Sequence, residues 1–194
     1  MIDLSGNGYT HTEVYNALHA KTAPRVESFR YDLLDSSDRK IKALTAMMSG
    51  SVSMSAFANI KKTARFKMRD DPEINFLSNR IQPFYRLLMP DGGYREWSLG
   101  IYLLSSPERE ESAGQLYRNI EAYDGLQILT DDKFEDRFTI ATGTNYIAAI
   151  TSILTGAGIT KVNLEATTKT LPADVEFEPG VPKLKAVNSL TEAI

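Results

Sequence analysis

A chain of 194 residues, 42% hydrophobic and 24% charged, is sized for one domain or for one with a second begun, and should bury roughly 70% of its unfolded surface. The absence of cysteine excludes disulfides, thiolate catalysis and the commonest zinc sites, and a formal net charge of −3 argues against a general nucleic-acid binder, whose affinity comes mainly from phosphate neutralisation. No apolar run reaches the ~18 residues of a membrane span, and the start, MIDLSGNGYTHTE, has neither the basic nor the apolar region of a signal peptide, so cytosolic synthesis is the default expectation.

Residues 1–24 read as an N-terminal arm. Gly6 and Gly8 precede a short helix over 11–21, in which Thr10 and Glu13 have capping-box spacing, Val14 and Leu18 share a face, and Pro24 closes the stretch. From residue 25 the period becomes two. Phe29, Tyr31 and Leu33 alternate with Arg30 and Asp32, the Asp35 to Asp38 cluster turns the chain into a run from Lys40 to Met48, and Val52, Met54 and Ala56 alternate with serines. Ala64, Phe66 and Met68 then alternate with Arg65, Lys67 and Arg69.

The most patterned stretch is Ile81 to Pro107. Pro90-Asp91-Gly92-Gly93 reverses the chain between two apolar runs, a β-hairpin whose second run sets Trp97, Leu99, Ile101 and Leu103 against Glu96, Ser98, Gly100 and Tyr102. Ser105 to Gly114 reads as a charged exit loop, and Gln115 to Tyr123 as a strand with Leu116, Ile120 and Ala122 on one side. A short Leu126 to Leu129 segment, an acidic stretch and a strand at Arg137 to Ala141 complete a β-barrel domain over 25–141.

Residues 142–180 hold the clearest helix, Asn145 to Thr155, capped by Thr144 and ended at Gly156 or Gly158, with Tyr146, Ile147, Ile150, Ile153 and Leu154 on one arc. Short strands at Lys161 to Ala166 and Asp174 to Glu178 follow. Over 181–194, Pro182 opens a helix whose stripe of Leu184, Val187, Leu190 and Ile194 runs to the last residue. This predicts either a longer parent protein or a partner for that helix. The fold class expected is mainly β with α+β character: an antiparallel split β-barrel with a packed amphipathic helix.

No stretch assembles a catalytic, cofactor or metal constellation. Arg65, Lys67 and Arg69 fall on one strand face below Lys61 and Lys62, a basic strip suited to a channel or an anionic partner, or a solvated face paired with acids on the next strand. Asp131, Asp132, Glu135 and Asp136 lack EF-hand spacing and read as a surface turn. Glu110-Glu111 reads as a solvated loop, His11 and His19 as helix-surface imidazoles without a third ligand, and Gly156-Ala157-Gly158 as a cap rather than a phosphate loop.

Six stretches in order, SGSVSMSAFANIKKTARFKM, INFLSNRIQPFYRLL, LGIYLLSSPERE, YRNIEAYDGLQIL, TGTNYIAAITSILTGAGI and FEPGVPKLKAVNSL, resemble the N-terminal half of tail hub (baseplate hub) proteins of tailed bacteriophages and prophages, from about Ser49 to the end. The resemblance implies a non-enzymatic structural protein of the virion tail tip, assembled in the host cytoplasm without a cofactor. It implies a homotrimeric ring of β-barrel domains lining the channel for genome ejection, with DNA present only in transit. The implied partners are a tail-tube or distal tail protein, a tape-measure protein and other tail-tip proteins. The hub pattern continues into a second barrel where this sequence stops, which sets trimerisation by this chain alone apart from the family picture. Two further readings remain open: a tail-associated cell-wall-degrading enzyme using Glu108, Glu110 or Glu135, and a cellular β-barrel binding module.

Overall fold

A computed structural model describes residues 3–20 and 24–194, and divides them between two compact units. The first holds the residues up to Met54 together with Lys62–Asp124; the second holds Ser55–Lys61 and Gly125–Ile194.

The first unit is a β structure preceded by helix α1 (His11–Leu18). Its strands are β1 (Glu27–Leu34), β2 (Lys40–Ala43), β3 (Met47–Met54), β4 (Lys62–Arg69), β5 (Arg80–Leu88), β6 (Tyr94–Ser98), β7 (Tyr102–Ser112) and β8 (Gln115–Tyr123). They form one antiparallel sheet in the order β2-β1-β5-β7-β8-β4-β3, with β6 also on β5. Hydrogen bonding does not close this sheet, yet it curls. Tyr31 of β1 packs edge-on against Phe66 of β4 at 6.0 Å, and Phe66 against Tyr102 of β7 at 6.1 Å, so strands far apart in the sheet order share one interior. The two edge strands are consecutive in sequence, joined by Leu44–Ala46, so the chain itself bridges the split: Leu44 donates to the Tyr31 carbonyl, and Arg69 N–H to that of Ala46. The expected single run from Lys40 to Met48 is thus two strands, one on each edge.

Leu33, Ala64, Phe66, Met68, Ile81, Tyr102, Ile120 and Ala122 fill the interior. The hairpin between Ile81 and Pro107 turns as expected, with Gly92 at φ +85° and Gly92 N–H on the Met89 carbonyl. Its second run, however, is two strands. Pro83 offers no N–H to the ladder, and Gly100 sits at φ +121°, a conformation that favours glycine. The pairing moves from β6 at Phe84↔Ser98 to β7 at Ile81↔Tyr102, and the alternation changes phase across the break. Tyr102, expected on the outer face, is therefore wholly buried. The expected exit loop is also strand: β7 runs to Ser112 and turns into β8 through Ala113 and Gly114, both at positive φ. Met54 and Ala56, expected on a buried face, are exposed: Met54 ends the edge strand β3, and Ala56 lies beyond it in the Ser55–Lys61 loop.

The N-terminal arm packs on its own unit. Thr10 and Glu13 form the expected capping box, and Val14 is buried with Leu87 and Met89. The helix ends at Leu18, short of the expected 11–21 span: His19 and Ala20 are not helical, and residue 21 lies outside the described residues. Tyr9 Oη donates to Asp91 of the hairpin turn at 2.9 Å, and Arg95 Nε donates to the Leu4 carbonyl at 2.9 Å.

The second unit comprises α2 (Leu126–Asp131), β9 (Phe138–Ile140), α3 (Tyr146–Gly156), β10 (Val175–Phe177) and α4 (Lys183–Glu192), with β9 and β10 paired antiparallel. Leu126 to Leu129, expected within the barrel, begins helix α2, so the units divide at Asp124/Gly125 where the expected barrel ran to Ala141. Tyr146, Ile150, Ile153 and Leu154 form the buried face of α3, as their arc predicts. Asn145, not Thr144, is the cap: its side-chain oxygen accepts from Ile147 and Ala148 N–H, and its amide donates to the Thr167 carbonyl at 2.7 Å. Asn145→Ala is expected to cost about 1 kcal/mol, with loss of the tie to Thr167 adding to it, read as a lower midpoint of helical unfolding by circular dichroism. At the other end, Ile159 N–H reaches Leu154 O and Gly158 N–H reaches Thr155 O, with Gly158 at φ +78°, a Schellman cap.

The expected strand at Lys161 to Ala166 has no regular structure, and Pro182 caps α4 instead of occupying its first turn. The stripe on α4 finds its partner within the unit: Leu184, Ala186 and Leu190 are buried in the core built on α3.

Candidate functional site

The burial pattern of β4 places Ala64, Phe66 and Met68 inward, and Thr63, Arg65, Lys67 and Arg69 on the opposite face. Antiparallel register sets Arg65 opposite Glu121 and Lys67 opposite Asn119 on β8, with Ser51 opposite Arg65 on β3. Arg65 pairs with Glu121 at 3.2 Å, and Lys67 Nζ donates to Glu110 of β7 at 2.8 Å. Asn119 Nδ2 donates to the same carboxylate at 2.7 Å. Lys67 and then Asn119 hold the Glu110 carboxyl below its ordinary range. Glu110 is therefore a fixed ionised acceptor on a strand, where a solvated loop was expected, and it is badly poised to donate a proton. Arg69 is exposed, with no ion pair for its side chain among the described residues. The strip is a charge-compensated face of serines, ion pairs and one unmatched cation.

A second polar group, on β1, β2, β5 and β6, is not visible in the sequence pattern. Asp32, 4% exposed, lies between Arg30 at 2.5 Å and Lys40 at 2.9 Å, and Arg30 and Arg86 both reach Glu96 of β6, at 2.7 and 2.9 Å. Arg30 stacks over Phe84 at 4.0 Å, and Arg86 over Tyr94 at 3.6 Å. Burial pushes the Asp32 carboxyl up, but Arg30 and Lys40 outweigh it and hold it below the usual range. Glu96 is lowered chiefly by Arg30. Both folded values lie below the unfolded ones. Their stabilisation is thus present above about pH 4 and is lost as pH falls through the folded values. Asp32→Asn is expected to cost about 1.5–3 kcal/mol at neutral pH and to flatten the acid limb of a pH series of denaturant titrations.

The remaining sequence candidates do not converge. His11 Nδ1 accepts from Leu4 N–H, while His19 stacks on Tyr15 at 4.1 Å and its Nδ1 lies 2.8 Å from the Tyr15 carbonyl. Asp132 is held by Lys183 at 2.6 Å, and Asp131 accepts from Gln127. Among the described residues no group of three His, Asp or Glu side chains is placed to hold a metal ion, and no helix is long and apolar enough to cross a membrane. Glu108 and Glu135 are both exposed, and they belong to different units. Gly156 to Gly158 close α3, as the capping reading expects.

These elements define an open antiparallel split barrel joined in sequence to a helical unit. That fold is shared with solved tail proteins of phage and prophage origin. The structure resembles the tail protein from Neisseria meningitidis MC58 (TM-score 0.57, 12% identity, 86% of this chain and 45% of that one). It also resembles a 43 kDa tail protein of prophage MuSo2 from Shewanella oneidensis (0.54, 10%, 86% and 50%) and prophage tail protein gp18 from Listeria monocytogenes EGD-e (0.51, 11%, 84% and 45%). The chain spans about half the length of these proteins. No protein-family model and no curated protein matches the sequence.

Proposed function

We propose that this chain is a structural subunit of a phage tail tip, a baseplate hub component that acts by assembly. The observation that carries the reading is the shared fold: three tail proteins align with 84 to 86% of the chain, in agreement with the ordered hub-like stretches of its sequence. In this reading copies form a trimeric ring that joins the tail tube to the tail-tip machinery and lines the ejection channel, next to distal tail and tape-measure proteins. The face bearing Arg65, Lys67 and Arg69 turns toward the channel or a neighbouring protein. Its ion pairs suit a wall past which DNA slides, since compensated charge does not hold phosphate.

Immuno-electron microscopy with antibodies to this chain tests the assignment: label at the tail tip is expected, and label on the capsid or nowhere on the virion rejects it. Reversing Arg65, Lys67 and Arg69 to Glu is expected to impair genome ejection more than particle assembly. Equal loss of both would count against a channel role.

A further inference from the structure

The second unit carries two features that nothing within it satisfies. One is Phe57, at the tip of the Ser55–Lys61 loop and wholly exposed. The loop is closed by Ser55 N–H on the Lys61 carbonyl at 2.9 Å and by Lys61 Nζ on the Ala56 carbonyl at 2.8 Å, so the ring is presented on a pre-ordered turn. The other is an open apolar groove of about 780 Å³, lined by Leu126, Ile147, Leu154, Ile159, Val162 and Leu164. Its size falls within the roughly 300–1,000 Å³ of pockets that enclose a ligand. One wall is the irregular segment after α3, on which Val162 and Leu164 remain exposed.

We infer that the groove receives the Phe57 loop of a second copy of this chain, a knob and hole that join subunits head to tail. The charges agree: Lys61 follows the tip, and Glu165, in the groove lining, has no ion pair among the described residues. Knob and groove are different surfaces of one unit, so the contact is heterologous and repeats around a ring or along a filament according to its angle. An aromatic ring buries about 150–250 Å², against the roughly 1,200–2,000 Å² of a stable interface, so the joint alone is weak in free solution and gains from repetition. The joint stands on the geometry of the second unit, and only its closure into a ring rests on the tail-tip reading.

The parent chain has no cysteine, so engineered pairs are unambiguous. Full-length Ala58→Cys and Leu164→Cys chains, distinguished by a mass tag, are mixed at millimolar concentration and oxidised. An Ala56→Cys with Val162→Cys pair is run in parallel to guard against one poorly angled pair. The expected product is the mixed disulfide in at least one pair, exceeding the like-with-like dimers. Adding Phe57→Ala to the knob chain is expected to lower its yield about tenfold, as for truncation of an aromatic anchor, with the circular dichroism spectrum unchanged. No mixed product in either pair, no excess over like-with-like dimers, or a yield indifferent to Phe57→Ala overturns the inference. A mixed disulfide together with antibody label away from the tail tip keeps the joint and rejects the tail role. Tail-tip label without the disulfide does the reverse.

Discussion

Tyr102→Ala is expected to destabilise the barrel unit by about 3–5 kcal/mol, the range for removing a large buried aromatic side chain. Tyr102 has no solvent exposure, packs edge-on against Phe66 at 6.1 Å, and through Phe66 is linked to Tyr31 across the split. Ile81, Ala64 and Ala122 share this core from strand positions, so removing the ring leaves a cavity among them. Trp97, the one tryptophan of the chain, lies on β6 of this unit, so its fluorescence in a urea titration reads barrel unfolding specifically. Tyr102→Phe separates the ring from its hydroxyl, which donates to the Leu99 carbonyl at 2.9 Å, and is expected to cost about 1 kcal/mol. Burial, with a smaller contribution from Asp124, pushes the Tyr102 phenol up to about 12. Because the folded value is the higher one, this contribution to stability is intact below the unfolded value of about 10 and is lost as pH rises toward the folded value. The Phe variant should lack that alkaline decline. An Ala variant with an unmoved Trp97 midpoint would show that the aromatic ladder does not support the barrel.

Ile153→Asp is expected to be the most damaging single change in the second unit, costing about 4 kcal/mol or more, since it places an unpaired carboxylate in an apolar interior. Ile153 is 2% exposed on the face of α3 that packs with Leu184 and Leu190 of α4. Far-UV circular dichroism should lose the α3 and α4 signal in native buffer, while the Trp97 transition keeps its midpoint. Ile153→Val, which removes one methylene, should cost only about 0.5–1.5 kcal/mol and retain the helical spectrum. An Asp variant that shifts the Trp97 midpoint as far as the helical one would mean that the two units unfold as a single cooperative block.

Much of this architecture is visible in local pattern. The capping box of Thr10 and Glu13, the Gly92 turn, the inward row of Ala64, Phe66 and Met68, and the apolar arc of α3 each depend on residues a few positions apart. Side-chain period and backbone conformational cost act at that range, so those readings hold. The phase of Tyr102 is not a local property, although its two causes are residues of the sequence: Gly100 permits the break, and Pro83, on the facing strand, withholds a donor. Only the pairing of β5 with β6 and β7 makes the two act together. The short run at Leu126 had too few residues for its period to tell helix from strand, and packing in the core around Leu129 decides for helix.

The site divides the same way. That Arg65, Lys67 and Arg69 share a face follows from a period of two and needs no tertiary information. Their electrostatic character does not follow, because the compensating carboxylates, Glu110 and Glu121, are more than forty positions away and arrive through strand order and register. Asp32 shows the same limit: its neighbours Arg30 and Lys40 are local, but Glu96, which shares Arg30 with it, comes from β6. By itself, then, the sequence determined α1, α3 and α4, the inward row of β4, the Gly92 turn and the absence of cysteine chemistry, all properties of neighbouring residues. The tertiary structure alone decided that two consecutive strands occupy opposite edges of one curled sheet, that two of the three cations of a basic strip are paired with carboxylates, and that a bare phenylalanine and an open groove belong to one compact unit. Each of those depends on which distant residues meet, and local free energies do not encode that meeting.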